Sequence, residues 1–137
     1  MAVGRVPPRR LEEQEQIALM RWARLVQVGP WLLSDVLAHY PSGGYRTKAE
    51  AARFKAMGVQ DGLPDLLLYV PCGPYVCGWW ELKVGKNKPT ERQLEQHAKL
   101  RSLGHYVETC WHWSEAANDI VRYLEKGSTP INVRAKP

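Results

Sequence analysis

The chain has 137 residues, enough for one domain and short for two, and its 45% hydrophobic share is that of a chain with a core rather than a disordered one. Lysine and arginine outnumber aspartate and glutamate by 19 to 14, which favours polyanionic partners such as nucleic acid but says nothing about fold. No apolar run is long enough to span a bilayer, and no apolar segment follows the basic start MAVGRVPPRR, so neither a membrane protein nor a secretory signal is expected.

Residues 1–10 are expected as a flexible basic arm. A first helix is predicted from about Leu11 to Val28, with Leu19, Trp22, Ala23 and Val26 as its apolar stripe and Gly29-Pro30 as its stop. Continued backwards at the same spacing, the stripe reaches Gln16, Glu15 and Glu12. Polar side chains therefore point along a face that is apolar further on, which is odd for a plain amphipathic helix. Trp31 to Tyr40 reads equally as helix or strand, with Leu37 to Tyr40 a possible short strand before the turn Pro41-Ser42-Gly43-Gly44. Thr47-Lys48-Ala49-Glu50 is a capping box that opens a helix to about Met57.

The centre reads as a hairpin. Asp65 to Val70 is an apolar run headed by an acid, Pro71-Cys72-Gly73-Pro74 is the turn, and Tyr75 to Val84 returns. On the returning strand Trp79, Glu81 and Lys83 share one face, and Trp80, Leu82 and Val84 the other. After the loop Gly85-Lys86-Asn87-Lys88-Pro89 come a helix from about Glu91 to Leu103, a strand from Tyr106 to Cys110, and a helix capped by Ser114. Residues 11–127 then form a single domain, and 128–137 a polar, flexible tail. The expected architecture is α/β, a central mixed sheet flanked by helices.

Cys72, Cys77 and Cys110 with His112 suggest zinc, but neither cysteine pair has CxxC spacing, so free thiols in a reducing compartment are expected. The pattern that carries chemistry lies on the hairpin. Phosphodiester hydrolysis uses a hard cation held by oxygen ligands, and a lysine to neutralise charge developing on the phosphate. Asp65 heads one strand; Glu81 and Lys83 lie two apart on its neighbour, so pairing can bring all three together. The Leu82 carbonyl lies between the last two. Burying Glu and Lys among Trp79, Trp80 and Leu82 is costly unless they are paired or ligating. An isolated ExK reads as a solvated strand; one preceded by Gly62-Leu63-Pro64-Asp65 across a hairpin does not.

GLPDLLLYV followed by GWWELKVGKNKPTERQ resembles the PD-(D/E)xK nuclease superfamily and, within it, the VRR-NUC family, over most of the chain from LEEQEQIALMRWA onwards. The resemblance implies a restriction-endonuclease-like core, dependence on Mg2+ or Mn2+, and cleavage of DNA phosphodiesters. Stand-alone members of this family are typically phage or bacterial proteins that look like homodimers acting on branched DNA, including four-way junctions. A cytoplasmic location in a bacterial cell follows.

By the same resemblance Asp65 and Glu81 are metal ligands, with Leu82 contributing its carbonyl, and Lys83 is the catalytic lysine. Gln93 matches the glutamine after the ExK strand, although it is also N3 of a capping box. The first-helix acid corresponds to Glu12, with Gln16 one turn later; Glu13 or Glu15 takes the role if the helix register differs. Relatives often carry Asn-Gly-Gly before a basic residue, where this chain has Ser42-Gly43-Gly44-Tyr45-Arg46. Arg46, Lys86, Lys88, Arg92 and Lys99 are candidate contacts to the DNA backbone. Two rival readings are a general DNA nickase or exonuclease in phage DNA processing, and a catalytically silent nucleic-acid-binding module.

Overall fold

A computed structural model describes residues 4–41 and 46–137. Ser42 to Tyr45, the glycine turn of the sequence reading, lie outside the described residues. Helix α1 (Pro8–Ala23) opens on a proline, which costs nothing where a backbone N–H would be free anyway. It stops earlier than its apolar spacing suggests. Val26 and Val28 belong instead to strand β1 (Val26–Val28), which pairs with β2 (Trp31–Leu32) through the turn at Gly29 and Pro30. A short α2 (Leu33–Val36) and β3 (Leu37–His39) follow, so the ambiguous segment is strand, helix and strand in turn. Helix α3 (Lys48–Ala56) is capped by Thr47, whose side chain accepts from the Glu50 N–H.

The central sheet comprises β3, β4 (Leu66–Leu68), β5 (Gly78–Leu82) and β6 (Tyr106–Cys110), in that order. The first three are antiparallel to their neighbours, and β6 runs parallel to β5. That parallel step requires a crossover, supplied by α4 (Glu91–Ser102). Helix α5 (Trp113–Glu125) packs on the opposite face with α1. There Trp80, Leu82, Ile120, Tyr123 and Leu124 join Leu19, Trp22 and Leu66 in the main core. A smaller cluster, Cys77, Trp79, Leu100 and Val107, lies under α4. The alternation read along the β5 sequence thus divides its side chains between two layers, and the mixed sheet with flanking helices is as expected.

The C-terminal segment differs from the polar tail read in the sequence. Ile131–Val133 form β7, which pairs with β1 and completes a second, three-stranded sheet. The Trp22 indole donates to the Ala135 carbonyl at 2.9 Å. Cys72, Cys77 and Cys110 are buried free thiols, as expected. No helix among the described residues is long and apolar enough to cross a membrane.

Candidate active site

Continuing the β4–β5 register by one residue from Leu66↔Trp80 sets Asp65 opposite Glu81. Asp65 is fixed through both its backbone and its side chain. Its carbonyl accepts the Tyr40 N–H at 2.7 Å and lies 2.9 Å from His39 Nδ1, so strand β3 anchors it. Its Oδ2 accepts the Leu82 N–H at 2.8 Å, locking the carboxylate against the end of β5.

Glu81 is 1% exposed. Its carboxyl is within hydrogen-bonding reach of Asp65, a contact between two acceptors that needs a proton shared between them. Its Oε1 is buried without a partner. Burial, reinforced by the Asp65 carboxylate, pushes Glu81 far above the usual carboxylate range, and Lys83 only partly opposes this. Lys83 follows at the end of the strand, its N–H bonded to the Cys110 carbonyl at 2.9 Å.

Glu12, on α1, completes the electrostatic cluster. Burial raises its pKa; Lys83 lowers it, Asp65 raises it, and a hydrogen bond from Asn87 lowers it. Glu12 and Gln16 line a cleft of about 570 Å³ together with His39, Asp65 and Leu82. The Leu82 side chain is buried in the core, so its main chain is the polar group it offers there. The other first-helix acids are engaged elsewhere or more exposed. Glu15 Oε2 accepts the Trp113 N–H at 2.7 Å, tying α1 to the start of α5. Glu13 lines the same cleft but pairs with Arg9 at an exposed position.

Gln93 behaves as the capping box requires. Its Oε1 accepts the Thr90 N–H at 2.8 Å, and Thr90 Oγ1 accepts the Gln93 N–H at 3.1 Å. The basic residues do not form a single rim. Lys86 and Lys88 are exposed on the loop after β5, whereas Arg46 and Arg92 line a separate cleft beside α3, with Lys99 bonded to its Gln60. Arg92 is also engaged with Asp61 at 3.1 Å and Glu95 at 3.3 Å. His39 and Asn87 were not singled out by the sequence. A lone histidine at a strand end and an asparagine in a lysine-rich loop carry no local signal, and their roles arise only from packing.

Among the described residues no three His, Cys, Asp or Glu side chains converge as a ready-made metal cage. The acids that do come together are Asp65, Glu81 and Glu12, and Leu82 lines the same cleft as Asp65 and Glu12. That set suits a hard divalent ion that keeps several waters. The fit rests on Glu81, a buried carboxyl with an orphaned oxygen facing a second acid, where a cation would replace the shared proton.

No family model matches the sequence, and no curated protein matches it. Among solved structures, one described as a VRR_NUC domain protein superposes with a TM-score of 0.77 at 28% identity, over 85% of this chain and 90% of that one. In its fold the chain is similar to this VRR_NUC domain protein. Its mixed sheet with flanking helices matches a VRR_NUC nuclease fold, and the β4–β5 hairpin sets Asp65 beside Glu81.

Proposed function

We propose that this chain is a nuclease of the VRR-NUC type, a metal-dependent deoxyribonuclease that hydrolyses DNA phosphodiester bonds in the cleft between α1 and the β4–β5 strand ends. The observation that carries this reading is the buried Glu81 carboxyl, orphaned at Oε1, against Asp65 and beside Lys83. Asp65, Glu81 and the Leu82 carbonyl would hold Mg2+ or Mn2+, with Glu12 in reach of the same ion. When bound, such an ion polarises the phosphate and lowers the pKa of a water.

The chain's own residues do the rest. Asp65, fixed by β3 and by the Leu82 N–H, keeps the ligands in place before substrate arrives. Lys83 places a positive charge where the phosphate gains negative charge. Glu12 and Gln16 form the α1 wall of the cleft, and Gln16 offers an amide for hydrogen bonding to phosphate or water. The Gln93 carbonyl is occupied by the cap, which leaves its amide NH2 for the same purpose. Lys86 and Lys88 supply sequence-independent attraction to the DNA backbone.

The finer reading is a structure-selective endonuclease acting on branched DNA, four-way junctions included, as a homodimer in the cytoplasm of a bacterial cell. It is supported by the family and by the absence of any base-reading motif in the sequence. A general nickase or exonuclease would use the same residues. One cleavage panel with Mg2+ and Mn2+ separates them: single strand, duplex, flap and four-way junction, each with a Glu81→Ala control. Paired cuts confined to the junction are expected, with a dimer by light scattering; equal cutting of linear duplex, or a monomer, would contradict the junction reading.

A further inference from the structure

A second cleft, about 410 Å³, opens between α3 and the loop that leads into Asp65. That volume lies within the range of ordinary ligand sites. Its walls are Arg46, Phe54, Lys55, Val59, Gln60 and Arg92, with Asp61 as the acid among three cations. The Arg46 guanidinium lies 4.5 Å from the centre of the Phe54 ring. Helix α3 has no buried residue, although Phe54 and Val59 are half-buried against the cleft. It carries Lys48, Arg53 and Lys55 against the single acid Glu50. A basic helix that contributes nothing to the core has another use for its position.

The opposite wall is rigid by construction. The Tyr40 hydroxyl donates to the Gln60 carbonyl at 3.2 Å and accepts the Gln60 N–H at 3.1 Å. From α4, Gln96 Nε2 donates to the Asp61 carbonyl at 2.9 Å. Gly62, at φ +77°, lies so close to Arg92 that a Cβ would meet its Cγ at 2.9 Å. The two clefts also meet. Pro41 lines the first, and its carbonyl accepts from Arg46, which lines the second, at 3.0 Å. Tyr40 bonds the Asp65 carbonyl through its backbone and the second cleft through its hydroxyl.

We propose that the α3 cleft receives an unpaired nucleotide of the DNA strand leaving the active-site cleft, its phosphate on Lys55 and its base stacked on the Arg46 guanidinium, which the Phe54 ring backs. The proposal rests on the nuclease reading above. At about 410 Å³ the cleft has room for one nucleotide and not for a duplex. A half-buried aromatic ring set among cations is the arrangement by which single strands are held without reading sequence. The Asp61 carboxylate does not repel the phosphate, because Arg92 neutralises it at 3.1 Å.

The test is fluorescence anisotropy in EDTA, where no cleavage intrudes, with a blunt duplex and the same duplex carrying a short 3′ or 5′ single-stranded tail. The parent is expected to prefer one tailed DNA over the blunt one. Phe54→Leu and Lys55→Ala should each weaken tailed binding by about fivefold or more, the scale of one lost stacking or charge contact, and leave blunt binding unchanged. Arg46→Gln, which retains most of the arginine stem, should do the same. Equal weakening on both DNAs by correctly melting variants would assign the cleft to duplex backbone and overturn the proposal. So would a parent with no tail preference, or variants that keep it. Glu81-dependent cleavage by the parent in Mn2+, on the panel of single strand, duplex, flap and four-way junction, is scored separately; its absence on every DNA would defeat the nuclease reading while the binding comparison still reads the cleft.

Discussion

Glu81 is the residue where the cost of the site is concentrated. A carboxylate 1% exposed, facing a second carboxylate, destabilises the metal-free fold unless it holds a proton. Its folded-state pKa is raised, so its contribution to stability is present at low pH and is lost as the pH rises towards the raised value. A neutral isostere removes that loss. Glu81→Gln is therefore expected to melt higher than the parent in EDTA above neutral pH, and to lose the upward shift that Mn2+ gives the parent. Thermal denaturation with and without Mn2+ checks both, and a variant melting below the parent in EDTA would mean that Glu81 is not strained.

His97, 1% exposed on α4 with its Nε2 unpaired, works in the opposite direction. Burial lowers its pKa from the usual 6.5; the Arg101 and Lys83 charges lower it further, and Asp65 partly restores it. The unfolded chain then takes up a proton more readily than the folded one. Stability from this group is present above 6.5 and is lost as the pH falls. His97→Gln should flatten the decline in melting temperature between about pH 7 and about pH 5. A decline of unchanged slope would place its cause elsewhere.

At the scale of elements, α4 joins stability to the site. Its capping box ties Gln93 to Thr90, and its first turn lies directly after the loop that carries Lys86 and Lys88. Gln93→Glu keeps an acceptor at the third helical position and favours the helix dipole, so the melting temperature should hold. The same change replaces an amide donor with a negative charge near DNA, and cleavage is expected to fall about tenfold. Retention of both stability and cleavage would reduce Gln93 to a cap alone.

The elements also show what a sequence can reveal. The β4–β5 hairpin was legible because its register is fixed by a local turn and by alternation, and the placement of Asp65 beside Glu81 was legible with it. The end of α1 was not. Val26 fits a helical stripe at i+7 and a strand equally well, and only the pairing of β1 with β2 and β7 decides between them.

Across the whole molecule the same distinction holds. Contacts between residues close in sequence were readable, and contacts between distant segments were not. Ile131–Val133 is too short for a periodic signal, and its partner β1 lies about a hundred residues earlier, so a strand reads as a tail. His39 and Asn87 enter the site only because β3 and the loop after β5 fold around Asp65 and Glu12. The position of Glu12 was half legible: helical spacing put it on the buried side, but the bond of Glu15 to Trp113 was needed to choose between them. Arg46 and Arg92 were read with Lys86 and Lys88 as contacts to the DNA backbone, yet they line a separate cleft beside α3, Arg46 from just before that helix and Arg92 from α4.

Around the hairpin the described residues build a cleft lined by Asp65, with the buried Glu81 carboxyl against it, and this pair is proposed to cut DNA with a divalent ion. The most direct measurement is strand cleavage of a labelled DNA by the parent and by Glu81→Ala, each with Mn2+ and with EDTA. Cleavage by the parent in Mn2+ alone, with loss of at least about a hundredfold in the variant, is the predicted result. Cleavage that persists in EDTA, or that Glu81→Ala retains in full, would contradict it.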